Sequence, residues 1–91
     1  MHTKRLFIEN LDSSTTENEI ETLFSLYGDV DKVKIKRERG RGFVEMTSAS
    51  EARRACAHLD GSVLWGRSMK IHNMNDTLRH RFIYLFSKFF G

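Results

Sequence analysis

The octapeptide RGRGFVEM at residues 39–46 decides the fold of this 91-residue chain. Side chains alternate between the two faces of an extended strand, so one face receives the polar and aromatic members Arg41, Phe43 and Glu45. The other face receives only small and apolar residues. The charged turn at residues 37–40 ends in a glycine and is typical of a tight hairpin. The stretch therefore predicts a strand with one buried and one open face, entered through a hairpin.

Three further segments share this alternation of apolar and polar residues. In residues 5–10, Leu6 and Ile8 fall on one face of the predicted strand. Residues 33–36 alternate Val and Ile with two lysines, and residues 69–72 alternate Met and Ile with Lys and His. Together with the octapeptide, these segments predict a four-stranded sheet that buries one face.

Two segments between the strands carry signals for the start of a helix. Residues 16–19 and 48–51 are capping boxes, each with a hydroxyl side chain at the N-cap and a glutamate three residues later. We expect the two helices to end at Gly28 and Gly61. The order β-α-β-β-α-β predicts an α+β, ferredoxin-like sandwich, in which two helices cover one face of a four-stranded antiparallel sheet.

Length and composition exclude several classes of protein. A chain of 91 residues accommodates one domain, and no apolar stretch approaches the ~20 residues of a membrane-spanning helix. Cys56 is the only cysteine, which excludes an internal disulfide and any metal or redox site built on a cysteine pair. The N-terminus turns acidic too early for a secretory signal. We therefore expect an intracellular, cytoplasmic protein with no metal or cofactor, and a nuclear location is the alternative if the source is eukaryotic.

Charge is distributed unevenly along the chain, although the formal net charge is only +3. Residues 9–21 contain five acidic residues and no basic one. Residues 32–41 contain six basic residues and a single acid, Glu38. Such asymmetry favours one side that faces a polyanion, and a merely solvated charged face is the alternative.

The open face of the predicted sheet combines aromatic and basic residues. Phe7 and Phe43 stand on two of its strands, and exposed rings of this size are unfavourable unless a ligand covers them. Flat rings among cations suit an unstacked nucleic-acid strand, because every base has a π-face and every linkage a phosphate. Alternation places these basic residues around the two rings: Arg5, Lys34, Lys36, Arg41, Lys70 and His72.

Two of these segments resemble the signature motifs of the RNA recognition motif family. The hexapeptide LFIENL at residues 6–11 is similar to the hexamer motif of that family, and residues 39–46 are similar to its octamer motif. Residues 59–67 resemble the family's segment between the second helix and the last strand. The resemblance covers residues 4–74, and either motif alone is weak. Both motifs together, in a β-α-β-β-α-β frame, are a strong signal.

The resemblance implies a domain that binds single-stranded RNA, binds single-stranded DNA more weakly, and is not an enzyme. By position, Phe7 and Phe43 would stack on successive bases and Arg39 would pair with a phosphate. Arg41 stands where the family usually has a third aromatic residue, which indicates an altered site that stacks through guanidinium or binds phosphate. The positions where the family's sheet reads base edges carry Glu9, Lys70, His72 and Asn73.

A protein-binding relative of the same family is the main alternative. Some such domains capture peptides with an Arg-x-Phe loop beside an acidic first helix. This chain has the sequence RSM at residues 67–69 and an acidic first helix. Methionine in place of phenylalanine and the intact sheet aromatics argue against that function, yet peptide binding or self-association through Arg67, the sheet or the C-terminus stays open.

The C-terminal segment is unusually aromatic. We expect residues 1–74 to form the domain and residues 75–91 to form an apolar helix. Residues 76–90 hold half of the aromatic residues of the chain, too much apolar surface to leave exposed. The segment could cover the RNA-binding sheet, form a homodimer or partner contact, or lie on a membrane surface, the least favoured of the three.

Overall fold

The computed structural model describes residues 4–73. The elements in chain order are β1 (Arg5–Glu9), α1 (Glu17–Phe24), β2 (Val30–Lys36), a 3-10 turn (Arg37–Arg39), β3 (Arg41–Met46), α2 (Ala49–Leu59), β4 (Val63–Leu64), β5 (Arg67–Ser68) and β6 (Lys70–Asn73). Strands β2, β3, β1 and β6 form a four-stranded antiparallel sheet in that spatial order. The predicted sandwich is confirmed. The predicted helix at residues 75–91 lies outside the described residues.

The core forms between the sheet and the two helices. Leu6 and Ile8 of β1 are fully buried and pack in one cluster with Ile20 and Phe24 of α1. The small residues of α2 allow that helix to approach the sheet closely, and its Cys56 is half-buried. Burial raises the pKa of the Cys56 thiol, and the nearby charge of Asp60 adds to the rise. The thiol therefore stays protonated and serves as packing.

Helix α1 begins as predicted but ends earlier than predicted. The Thr16 side chain accepts a hydrogen bond from the Glu19 amide, and the Glu19 carboxylate accepts one from the Thr16 amide in return. The helix ends at Phe24, and tighter turns follow instead of a left-handed glycine cap. Gly28 has a different reason to be small, because a Cβ there would lie 2.6 Å from Cβ of Glu51.

Helix α2 begins at the predicted cap, and its capping glutamate also bonds to residues outside the helix. The Ser48 side chain accepts from the Glu51 amide, as an N-cap should. The Glu51 carboxylate accepts from the hydroxyls of Thr47 and Ser48 and from the Asp29 amide. These donors, Thr47 foremost, hold the pKa of Glu51 below its usual range. Glu51 thus ties the start of α2 to the loop after α1.

Two glycines of the octapeptide are needed for steric reasons. Gly40 has φ +66°, in the left-handed region, and closes the 3-10 turn between β2 and β3. At Gly42 of β3, an added Cβ would lie 2.4 Å from the Lys34 carbonyl oxygen and 3.1 Å from Cα of Ile35. The glycine pattern of the octapeptide therefore reflects one turn and one close approach of backbones.

Gly42→Ala is expected to lower the free energy of unfolding by about 1–3 kcal/mol, the usual cost of overpacking. The two nearest atoms belong to the backbone of β2, so the added methyl group has to push β2 away from β3. Urea denaturation of the variant and the parent measures the difference. An unchanged free energy of unfolding would show that β2 moves at no cost.

Candidate nucleic-acid interface

The open face of the sheet is organised in rows, because antiparallel pairing sets residues directly opposite one another. The central row, read from β2 to β6, contains Lys34, Phe43, Phe7 and His72. The charged row beside it contains Lys36, Arg41, Glu9 and Lys70. A shorter third row contains Lys32, Glu45 and Arg5. All eleven residues in these rows are aromatic, basic or acidic, and the two phenylalanine rings lie at the centre.

The two phenylalanines form a cross-strand pair in the middle of the sheet. Phe7 and Phe43 are direct partners across β1 and β3, and both are partly buried. The guanidinium carbon of Arg5 lies 4.2 Å from the centre of the Phe43 ring. Arg5 is held there by Glu45, with Nη2 2.9 Å from the carboxylate oxygen Oε2. The sequence placed Arg5 near the rings, but its position over one of them follows only from the structure.

Glu9 is surrounded by basic residues on this face. It stands opposite Arg41 on one side and Lys70 on the other. His72 Nε2 lies 2.5 Å from Glu9 Oε2, so the imidazole and the carboxylate share a hydrogen bond. The Glu9 side chain nevertheless keeps 42% of its surface exposed. An acid on a binding face is therefore compatible with a polyanion, because cations and a hydrogen bond offset its charge.

The remaining predicted site residues differ in their placement. Arg39 is exposed on the 3-10 turn, just beyond the charged row. Lys34 and Lys70 are also exposed. Asn73 is the exception, because it pairs with the inward-facing Leu6 and follows His72 in the alternation of β6. Its side chain therefore leaves the sheet on the helix side, and its expected place among the base-reading residues of the open face is wrong.

A small hairpin formed by β4 and β5 was not expected from the sequence. Hydrogen bonds to Glu19 and Asn10 hold it against the body of the domain. The indole N–H of Trp65 donates to the Glu19 carboxylate at 3.1 Å, and the Arg67 guanidinium donates to the side chain and backbone of Asn10. The Trp65 bond is the main cause of a lowered pKa at Glu19. Although its indole N–H is bonded, Trp65 remains 55% exposed.

An open antiparallel sheet, with paired aromatic rings among cations and two helices behind it, is typical of domains that bind nucleic acid. Residues 6–70 match the family described as RNA recognition motif. The chain belongs to the RNA recognition motif family, as its two motifs indicated. Within residues 4–73, no group of three side chains suited to hold a metal ion occurs. No helix in that part of the chain is long and apolar enough to cross a membrane.

The chain spans only about a tenth of the length of the curated relatives that it matches. Paraspeckle component 1 from Bos taurus is 42% identical over 67 residues, which are 74% of this chain and 13% of that protein. The splicing factor, proline- and glutamine-rich, from Mus musculus is 37% identical over 67 residues, 74% of this chain and 10% of that protein. The structure of the C. elegans NONO-1 homodimer matches with a TM-score of 0.74 and 28% identity, over 79% of this chain and 29% of that one.

Proposed function

We propose that the domain binds single-stranded RNA across the open face of its sheet, with bases stacked on Phe7 and Phe43. The observation that carries this proposal is the cross-strand pair of rings at the centre of the face, flanked by the cations of the central and charged rows. Membership of the RNA recognition motif family supports RNA as the ligand. Domains of this family are generally not enzymes, and we propose no catalytic activity for this one.

The contact between Arg5 and Phe43 does not prevent base stacking. An exposed cation–π contact contributes roughly 0.5–1 kcal/mol, whereas a base on an aromatic ring contributes roughly 1–3 kcal/mol. A base is therefore expected to replace the Arg5 guanidinium on the ring of Phe43. Arg5 keeps Glu45 as a partner when it leaves the ring, so its displacement leaves no charge unpaired.

Phosphate contacts are assigned to the basic residues at the β2–β3 end of the face. Lys34 and Arg39 are exposed there, and Lys36 stands opposite Arg41 in the charged row. Arg41 replaces the third aromatic residue of the family motif, and we propose that it binds phosphate or stacks through its guanidinium plane. Lys70 extends the same band of positive charge to β6, where His72 lies two residues further along the strand.

Titration of fluorescently labelled oligonucleotides tests the proposed ligand. Single-stranded RNA is expected to bind, single-stranded DNA of the same sequence more weakly, and an RNA duplex weakest, because paired bases cannot reach the rings. Equal affinity for RNA and DNA would remove the claim of RNA selectivity. Tightest binding to the duplex would contradict stacking on the sheet.

Peptide capture through the Arg67 loop receives no support from the described residues. The Arg67 guanidinium is bonded to Asn10, and Met69, at the position of the required aromatic residue, is fully buried. We therefore do not propose that alternative. A homodimer formed through residues 76–90 stays a proposal. The similarity to a chain of the NONO-1 homodimer supports it. Sedimentation of the full chain at increasing concentration would reveal it.

Location follows from the relatives only as a proposal. The names of the relatives refer to paraspeckles and splicing, which are nuclear, so we propose a nuclear location. The expected cytoplasmic location finds no support in these comparisons.

A further inference from the structure

We infer that Glu9 selects guanine at one nucleotide position of the bound strand. This inference rests on the proposed function and adds the identity of a base to it. Glu9 lies two residues beyond Phe7 on the same face of β1, so its carboxylate is beside the ring on which a base would stack. A base on Phe7 that points one edge toward the charged row presents that edge to Glu9.

The four bases differ in the hydrogen-bond donors that their Watson–Crick edges offer to a carboxylate. A carboxylate has two acceptor oxygens and no donor. Guanine offers two adjacent N–H donors on its Watson–Crick edge, at N1 and N2, next to the acceptor O6. Cytosine and adenine each offer one amino donor there. Uracil offers one N–H between two carbonyl oxygens, which a carboxylate repels.

The neighbours of Glu9 complete the match to guanine. Its partners across the sheet are Arg41 and Lys70, one on each side. A cationic donor beside a pair of acceptor oxygens complements the donor, donor, acceptor order of the guanine edge. In the free protein one carboxylate oxygen, Oε2, is occupied by His72, which holds the side chain on this face. Guanine would take over that oxygen when it binds.

The same surroundings explain how an acid is tolerated against RNA. Repulsion between Glu9 and phosphates is reduced by the two flanking cations, Arg41 and Lys70. Arg5 and Glu45 form an ion pair in the third row. Glu9 is the acid in the row next to Phe7, where it stands between two cations. Its cost in affinity is therefore expected to be small and its effect on base choice large.

Glu9→Gln separates base selection from charge. Glutamine keeps the size of the side chain but replaces one acceptor with an amide donor, and an acceptor–donor pair suits adenine. Glu21→Gln is the matched control, because Glu21 is exposed on α1 and its replacement changes the net charge equally. Any general gain in affinity from the removed negative charge appears in both variants, whereas a change in base preference appears only in Glu9→Gln.

The experiment measures the affinity of the full chain for four RNA heptamers, UUUNUUU with N as G, C, A or U, by fluorescence anisotropy. The parent and Glu21→Gln are expected to bind the G heptamer about tenfold more tightly than the U heptamer, within the range of one bidentate contact. In Glu9→Gln this preference is expected to disappear and the A heptamer to become the tightest of the four. Retained binding of the U heptamer by the variant reports an intact sheet.

Two other results would overturn the inference. If the parent binds all four heptamers equally, or if Glu9→Gln keeps the preference for guanine, Glu9 does not select the base, while RNA binding on the sheet still stands. If the parent binds none of the heptamers, the proposed function fails and the inference fails with it. The two failures are therefore distinguishable in one set of titrations.

Discussion

Phe7→Ala and Phe43→Ala are each expected to weaken the binding of single-stranded RNA by roughly 1–3 kcal/mol, or about five- to 150-fold. Each substitution removes one flat ring from the central row and leaves the backbone pairing of β1 and β3 unchanged. The double variant is expected to lose more than either single variant, although neighbouring rings need not contribute additively. Fluorescence anisotropy with a labelled oligonucleotide measures all three.

Two controls bracket this result. Phe7→Tyr keeps a ring in place and is expected to retain most of the affinity. Trp65→Ala removes an aromatic residue that is more exposed than either phenylalanine but lies between β4 and β5 rather than on the sheet, and it is expected to leave the affinity unchanged. If the phenylalanine variants fold and bind like the parent, the stacking assignment is wrong.

The second large effect concerns salt. Replacing Lys34, Lys36 and Arg39 together by glutamine is expected to flatten the dependence of log affinity on log salt concentration by about two, since each phosphate contact to a single strand contributes about 0.7. Binding should weaken alike for most RNA sequences, because phosphate contacts carry no sequence information. Titrations at four salt concentrations between about 50 and 200 mM measure both the salt slope and the affinity for each RNA sequence.

A control for the salt effect comes from the opposite side of the domain. Arg53 and Arg54 are exposed on α2, and their double replacement by glutamine also lowers the positive charge of the protein. That variant is expected to keep the slope of the parent. A flattened slope in the α2 variant, together with an unchanged slope in the sheet variant, would place the RNA on the helices.

The sheet could be predicted from the sequence because alternation is a local signal. Leu6 and Ile8 are buried and Phe7 lies on the opposite face, as the period of two requires. Helix ends were less predictable. A glycine at position 28 is typical of the end of a helix. In the structure its small size instead leaves room for the side chain of Glu51, 23 positions away in sequence. Contacts between such distant residues leave no mark in the local pattern.

For the candidate site, the sequence indicates which residues share the open face but not how their side chains contact one another. The motifs identified Phe7, Phe43 and the surrounding cations, and the register of β1 with β3 and β6 brings them into rows. Nothing in the sequence indicates that Arg5 lies over Phe43. Asn73 could have been excluded earlier, because strict alternation from His72 sends it to the other face.

The most direct test of RNA binding on the sheet is an NMR titration of the full chain, labelled with ¹⁵N, against a short single-stranded RNA. The account predicts that the largest amide shifts fall on the open-face residues of β1, β3 and β6, with Phe7, Phe43 and His72 among them. Shifts concentrated in α1, α2 or the β4–β5 hairpin, with the sheet unchanged at saturating RNA, would contradict it.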